Sequence, residues 1–447
     1  MISLASISTQ QLEEYSSAFH ASRANELAAN AATGNGVIEA SLSSEASRKL
    51  PHSFSVELEQ GHITSQKNSG RCWIFAALNT FRYEVMHKWN LKDFEFSQSY
   101  IFFYDKLEKA NYFLESVLKT LDEPVDGRLY SYINSMPIND GGQWAMFASI
   151  VKKYGVVPLE AFPESASSGN SRAFGSYITS KLREFAIELR KASREGASIE
   201  DLRAQKARQM ETVYRMLVIS LGEPPRSFDF TVHTKDGEVL QDFDITPQEF
   251  FSKYVPIELD DLVALVNAPA VSKPMYHTYT VKFLGNVVES EPVKYLNLPI
   301  EKMKAGVQAQ LEDGHPVWFG SDCRPFSVRS GGLFDRGSSQ IEKLYDIHYN
   351  FSKGDRLEYG DSAMNHAMVF QGVNLNQNKE PDRWRIENSW GKDAGVEGYY
   401  VCSDAWFDEF VYQAVINKKY LDAEDVALWE QTPDELEPWD PLGSLAD

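Results

Sequence analysis

The sequence predicts an α+β protein, with helices gathered first and strands last. Three observations carry this reading. Apolar residues recur at helical spacing through most of the chain up to about residue 220. In the final third they fall instead into short runs rich in Val, Phe, Tyr and Trp, such as HPVWFGSD and HAMVFQGVN. The two patterns occupy separate blocks rather than alternating, which favours α+β over a parallel α/β sheet.

The elements follow in order. Thr9 ahead of QLEEYSSAFHASR predicts a capped helix, and NELAANAATGNG after it a loop. Residues 1–50 read as an arm that packs on the rest of the chain or on another subunit. In CWIFAALNTFRYEVMHKW, Ile74, Leu78, Phe81 and Val85 share one face of a buried helix, and Gly70 permits a tight turn before it. QSYIFFYDKLEKANYFLESVLKTL predicts a second helix. Asp140-Gly141-Gly142 leads into a third, which carries Trp144, Phe147, Val151 and Tyr154 and stops at Gly155. Residues 165–220 hold long charged helical stretches. FDFTVHTKDGEVL, with its Lys-Asp-Gly turn, predicts a hairpin. One helix opens the section from about residue 300. Strands are then expected in HPVWFGSD, HAMVFQGVN, RWRIENSW, GYYVCS and YQAVINKKY. The tail, QTPDELEPWDPLGSLAD, is rich in proline and acid and has no helical stripe, so its composition reads as a solvated terminus.

Composition narrows the function classes. The chain has 447 residues, 43% of them hydrophobic and 24% charged, enough for two or three packed units. A net charge of -20 repels polyphosphate and anionic lipid, which disfavours nucleic acid and membrane surfaces as partners. Cys72, Cys323 and Cys402 are widely spaced with no CxxC pair, so neither a zinc site nor a disulfide framework is expected. Reduced thiols in a cytoplasmic setting fit best. The opening MISLASISTQQLEEYSS lacks the basic stretch and apolar core of a secretory signal. Nowhere is there an apolar run of about eighteen residues that would span a bilayer.

Chemistry concentrates at four residues. By itself Cys72 reads as a small core hydrophobe. Opening a helix, however, exposes its sulfur to the helix dipole and unpaired N–H groups, which favour a thiolate. Gln66, shortly upstream, can direct an amide toward it. A thiolate nucleophile needs an acid–base partner, and His366 in SAMNHAMVFQGV stands at the start of a predicted strand, where it is rigidly held. The imidazole in turn needs orienting. Asn388, in WRIENSWGKDAG, offers an amide oxygen flanked by Trp384 and Trp390. Taken singly, His366 equally reads as a satisfied strand-edge histidine and Asn388 as a strand-end turn. Neither metal nor cofactor is implied.

Gln66 and Cys72-Trp73, then Asn365-His366-Ala367, then Asn-Ser-Trp-Gly from Asn388, in that order, resemble the papain-like cysteine peptidases. Papain relatives place the histidine and asparagine about 130–150 residues after the cysteine. Here the spacing leaves room for roughly 150 extra residues. Arg71 also stands where those enzymes carry a small residue. QKNSGRCWIFAALN, DGGQWAMF, MNHAMVFQGV and ENSWGKDAGVEGYYVCSDAWFDEFVYQAV resemble more closely the bleomycin hydrolase and bacterial aminopeptidase C family, from about residue 50 to the C-terminus.

The resemblance implies a papain-like two-lobed α+β fold with a large helical insertion. Residues 1–50 form an N-terminal arm, 51–160 the helical lobe with the cysteine and 161–300 a mainly helical insertion. Residues 301–430 form the β lobe with His366 and Asn388, and 431–447 a C-terminal arm reaching the active site. It implies Cys72 as nucleophile, His366 as acid–base group, Asn388 as its orienter and Gln66 in an oxyanion hole with the Cys72 N–H. Gly141 and Gly142 match the pair lining the cleft. The ending resembles the family's usual Trp-Asp-Pro-Met-Gly-Ala-Leu-Ala, with Leu442 for Met, Ser444 for Ala and an additional Asp447. In that family six subunits enclose the active sites, and the terminal carboxylate binds the substrate's free amine. The implied function is a broad-specificity aminopeptidase acting on peptides, with Ala446 or Asp447 at the working terminus. An endopeptidase of the same family and a non-catalytic binding protein are the alternatives.

Overall fold

The computed structural model describes residues 6–446; Asp447, one of the expected substrate-binding positions, lies outside them. The α+β expectation holds. Helices dominate up to Leu221, and a mixed sheet of 12 strands dominates the remainder of the described residues.

The helix Cys72–Lys88 is central. It is buried on almost every side, with Asn79, Thr80 and Arg82 buried alongside its apolar residues. One face packs against the long helix Gln98–Lys119, another against the strand His366–Leu375. Trp144–Tyr154 packs beside both helices and ends at Gly155. Gly155 has φ 71°, and a Cβ there would lie 2.3 Å from the Pro247 carbonyl carbon. The charged stretches form two long helices, Arg172–Arg194 and Ile199–Leu221, which pack on each other and on Gln98–Lys119. A capping box between Ser198 and Asp201 starts the second of them.

The sheet is built around Val411–Asn417, which lies between Leu262–Val266 and Val317–Ser321. From Val317–Ser321 it continues antiparallel through His366–Leu375, Pro381–Glu387 and Tyr399–Ser403. His366 opposes Ser321 and begins its strand, while Asn388 follows directly on the strand ending at Glu387. In the other direction come Lys294–Asn297, His277–Val281 and finally Asp434–Leu436.

Four local expectations need correction. The first helix is capped by Ser8, whose hydroxyl accepts from the Gln11 N–H, rather than by Thr9. NELAANAATGNG is helical, within Arg23–Asn35: its alanines, Leu27 and Glu26 outweigh the interspersed Asn residues, and Gly36 at φ 93° ends it. Residues 161–300, expected to be mainly helical with one hairpin, also give Leu262–Val266, His277–Val281 and Lys294–Asn297 to the main sheet. The tail is not a solvated terminus. Asp434–Leu436 forms an edge strand, and Leu442, Gly443 and Ala446 are buried.

Candidate active site

Cys72 is the first residue of its helix, following Arg71 at the N-cap. Arg71 is fully buried and makes no side-chain cap. Its guanidinium instead grips Glu164 through two hydrogen bonds of 2.8 and 2.9 Å and lies over the rings of Phe75 and Phe102. The unusual residue before the cysteine therefore ties the helix start to the chain beyond the third helix. That geometry leaves the Cys72 sulfur at the positive end of the helix dipole.

The strand His366–Leu375 meets that sulfur: the Ala367 N–H donates to Cys72 Sγ at 3.4 Å. His366 Nε2 lies 2.9 Å from Asn388 Oδ1. The same oxygen accepts the Ser389 N–H at 2.8 Å, which fixes the amide orientation and makes Nε2 the donor. In the neutral ring Nδ1 is then the basic nitrogen. Trp390 stacks on the imidazole with centroids 4.8 Å apart. Burial pulls the His366 pKa down to about 4, against the Asn388 hydrogen bond, with Arg329 adding to the depression.

Gln66 is buried on the same side. Its Nε2 donates to the Ser69 carbonyl at 2.6 Å, and its Oε1 accepts from Ser389 Oγ at 2.7 Å. A backbone hydrogen bond from Gln66 N–H to the Ser389 carbonyl, 2.8 Å, ties this segment to the one carrying Asn388. One of the two amide hydrogens of Gln66 remains to serve a ligand.

Gly142 and Ala446 form an antiparallel bridge, with hydrogen bonds of 3.1 and 3.2 Å in the two directions. Gln143 Nε2 donates to the Ser444 carbonyl. A Cβ on Gly142 would come within 2.5 Å of the Trp73 ring, so the closeness of this segment to the residue after Cys72 requires glycine. Further back, Lys273 pairs with Asp440 at 2.9 Å, and Arg128 covers the Trp439 ring at 3.8 Å.

The segment before Gly142 is held by residues that sequence reasoning missed. Lys106 donates to the Ile138 carbonyl at 2.5 Å and pairs with Asp140 at 2.6 Å. Lys109 donates to the carbonyls of Asn139, 3.0 Å, and Gly141, 2.6 Å, and pairs with Asp105 at 2.8 Å. Burial lowers the Lys109 pKa, with Asp105 opposing. Burial alone would raise the Asp140 carboxyl, but Lys106, Ser171 and the Gly70 N–H hold it at about 2. No pattern in the sequence marks these lysines, because helical lysines ordinarily face water.

The other two cysteines differ. Burial, reinforced by Asp322, raises the Cys323 thiol to about 12, and burial pushes the Cys402 thiol well above its ordinary value. Both stay protonated at neutral pH. Among the described residues no group of His, Cys, Asp and Glu side chains is arranged to hold a metal, and no helix is long and apolar enough to cross a membrane.

A sequence profile of the Peptidase C1-like family matches residues 6–443. Aminopeptidase C of Lactobacillus delbrueckii subsp. lactis is 45% identical over 444 residues, covering 98% of each chain. Aminopeptidase C of Streptococcus thermophilus is 41% identical over 443 residues, covering 99% of this chain and 100% of that one. The crystal structure of PepW from Lactobacillus rhamnosis matches with a TM-score of 0.97 and 43% identity, over 99% of this chain and 100% of that chain.

Proposed function

Because the chain belongs to the Peptidase C1-like family, and is a cysteine peptidase, we propose that it acts as an aminopeptidase whose C-terminal arm selects the substrate end. Cys72 is the nucleophile in this reading. His366 Nδ1 takes the thiol proton, and the sulfur attacks the carbonyl carbon of the first peptide bond. The Cys72 N–H and the spare Gln66 amide hydrogen stabilise the oxyanion, where losing one donor typically costs about 10²–10³ in turnover. His366 then protonates the leaving amine and later activates the water that releases the acyl group. Asn388 keeps the imidazole turned toward the sulfur.

The backbone pairing of Ala446 with Gly142 carries the aminopeptidase assignment. An extended substrate would need those same backbone groups, so the arm limits how much chain fits ahead of the scissile bond. A terminal carboxylate nearby attracts an ammonium, and low local dielectric strengthens that attraction. Ala446 becomes the working terminus once Asp447 is removed. Mass spectrometry tests this: a chain ending at Ala446 is expected, and a fully active enzyme retaining Asp447 overturns it.

The decisive experiment compares a free-amine peptide with its N-acetylated form, on the full chain and on a version lacking the last five residues. The full chain should cleave only the free amine, and truncation should add cleavage of the blocked peptide. Equal cleavage of both by the full chain would instead favour an endopeptidase. Two further features belong to the proposal. Leu12, Tyr15, Phe19 and Leu27 are exposed on the first two helices, which supports assembly with other copies, six by family resemblance. Reduced, widely spaced cysteines support a cytoplasmic location.

A further inference from the structure

Beside Trp390 lies an open pocket of about 520 Å³, bordered by Ser65, Lys67, Arg329, Asp393 and Tyr400. Trp390 connects it to the active-site imidazole. The ring stacks on His366, and the Arg329 guanidinium carbon sits 4.9 Å from the Trp390 ring centroid. Arg329 is near enough to contribute to the depressed His366 pKa.

The charges here are unusual for this chain. Acidic side chains outnumber basic ones, 64 to 44, and the cations around the site have carboxylate partners: Arg71, Arg82, Lys106 and Lys109 are all paired. Arg329 and Lys67 are exposed, and neither pairs with a carboxylate among the described residues. Asp393 is the only acid among the residues bordering the pocket, so the local balance is positive. Lys67 also holds a left-handed backbone, φ 50°, directly after Gln66. An arginine laid over an aromatic ring keeps its planar fork in a limited set of orientations, and that fork matches a carboxylate.

The arm takes the backbone groups of Gly142 that would serve chain ahead of the scissile bond, whereas the leaving part is protonated by His366, on whose ring Trp390 stacks. We propose that the Trp390 pocket is a carboxylate subsite for the leaving part of the substrate, with Arg329 the main partner and Lys67 the second. This rests on the aminopeptidase reading above. The carboxylate comes either from the free C-terminus of a dipeptide or from an acidic side chain following the scissile bond. In the first case the substrate class is short peptides recognised at both ends, the amine by the arm and the carboxylate by Arg329.

The test measures kcat/KM on the full chain for Ala-Ala as free acid and as amide, and for Ala-Glu amide and Ala-Gln amide. The wild type should favour the free acid in the first pair, or Glu in the second, by about tenfold, the scale of one charge-assisted hydrogen bond. Arg329→Gln should bring that ratio close to one, Arg329→Lys should retain part of it, and Lys67→Gln should reduce it less. The pair that responds identifies the source of the carboxylate. A wild-type ratio near one in both pairs, or a ratio unchanged in Arg329→Gln, overturns the proposal; mere structural damage would lower both members of a pair alike. N-acetyl-Ala-Ala, cleaved as fast as Ala-Ala, would instead count against the aminopeptidase reading and leaves the acid-to-amide ratio readable.

Discussion

Arg82 and Glu387 meet 3.1 Å apart, both sealed from water, where the helix opened by Cys72 crosses the strand that delivers Asn388. Asn79 and Gln371 also donate to the Glu387 carboxylate, and Arg82 holds the His62 carbonyl at 2.7 Å. Burial pushes the carboxyl pKa upward, and Arg82 opposes it. Removing one partner strands the other in the interior, which typically costs about 3–5 kcal/mol. Arg82→Met should therefore lower stability by that order in urea denaturation. The double variant Arg82→Met with Glu387→Gln should recover part of the loss. A single variant as stable as wild type would show that this pair does not brace the two segments.

The buried imidazole gives stability a definite pH dependence. His366 titrates near 4 when folded, below its ordinary 6.5, so the unfolded chain binds more protons between those values. Its contribution is full above about 6.5 and declines as pH falls toward 4, by on the order of 3 kcal/mol in total. Denaturation of wild type and His366→Gln across this window should show the extra slope in wild type alone. Parallel curves would contradict it.

Gly142 is a narrower test of the cleft. Its missing side chain admits the Trp73 ring, which is itself pinned by a 2.8 Å hydrogen bond from Nε1 to the Asp140 carbonyl. Gly142→Ala should cost about 1–3 kcal/mol of stability through overpacking. It should also weaken the pairing with Ala446. Thermal melts and peptide-cleavage rates read the two effects separately.

The arm can be loosened without shortening it. Lys273 is nearly buried and reaches Asp440 at 2.9 Å. Lys273→Gln removes that anchor while leaving Ala446 in the chain. Cleavage of N-acetylated peptides should rise severalfold, about the effect of a 1 kcal/mol shift in arm occupancy. No change would mean that the hydrogen bonds at Gly142 hold the arm unaided.

The candidate site residues stand out most clearly in the sequence, because each lies in a short motif with a distinct composition. The structure brings Cys72 and nearby Gln66 together with His366 and Asn388 in one buried cluster, from three segments of the chain. Their supports were not legible. Lys106 and Lys109 look like ordinary surface charges on an amphipathic helix until the carbonyls from Ile138 to Gly141 are seen above them. Glu387 reads only as the neighbour of Asn388. Leu262–Val266 is a short apolar run whose partner Val411–Asn417 lies far off in sequence, and His277–Val281 is a half-polar run with one distant partner at Asp434–Leu436, so local pattern could not assign them to the main sheet. For the tail, composition pointed to solvent and family resemblance to the cleft. The difference is a partner, Gly142, that composition cannot register.

The bridge between Gly142 and Ala446 also bears on inhibitor selectivity. On the proposed reading, a covalent inhibitor carrying several residues ahead of its warhead would have to break two backbone hydrogen bonds and evict a segment anchored by Asp440 before binding. Compounds made for long open clefts should lose most of their affinity here. On the same reading a short warhead with a free amine would keep the arm in place and use it as part of the binding site, and that contrast would offer chemists a handle for separating this enzyme from other thiol peptidases.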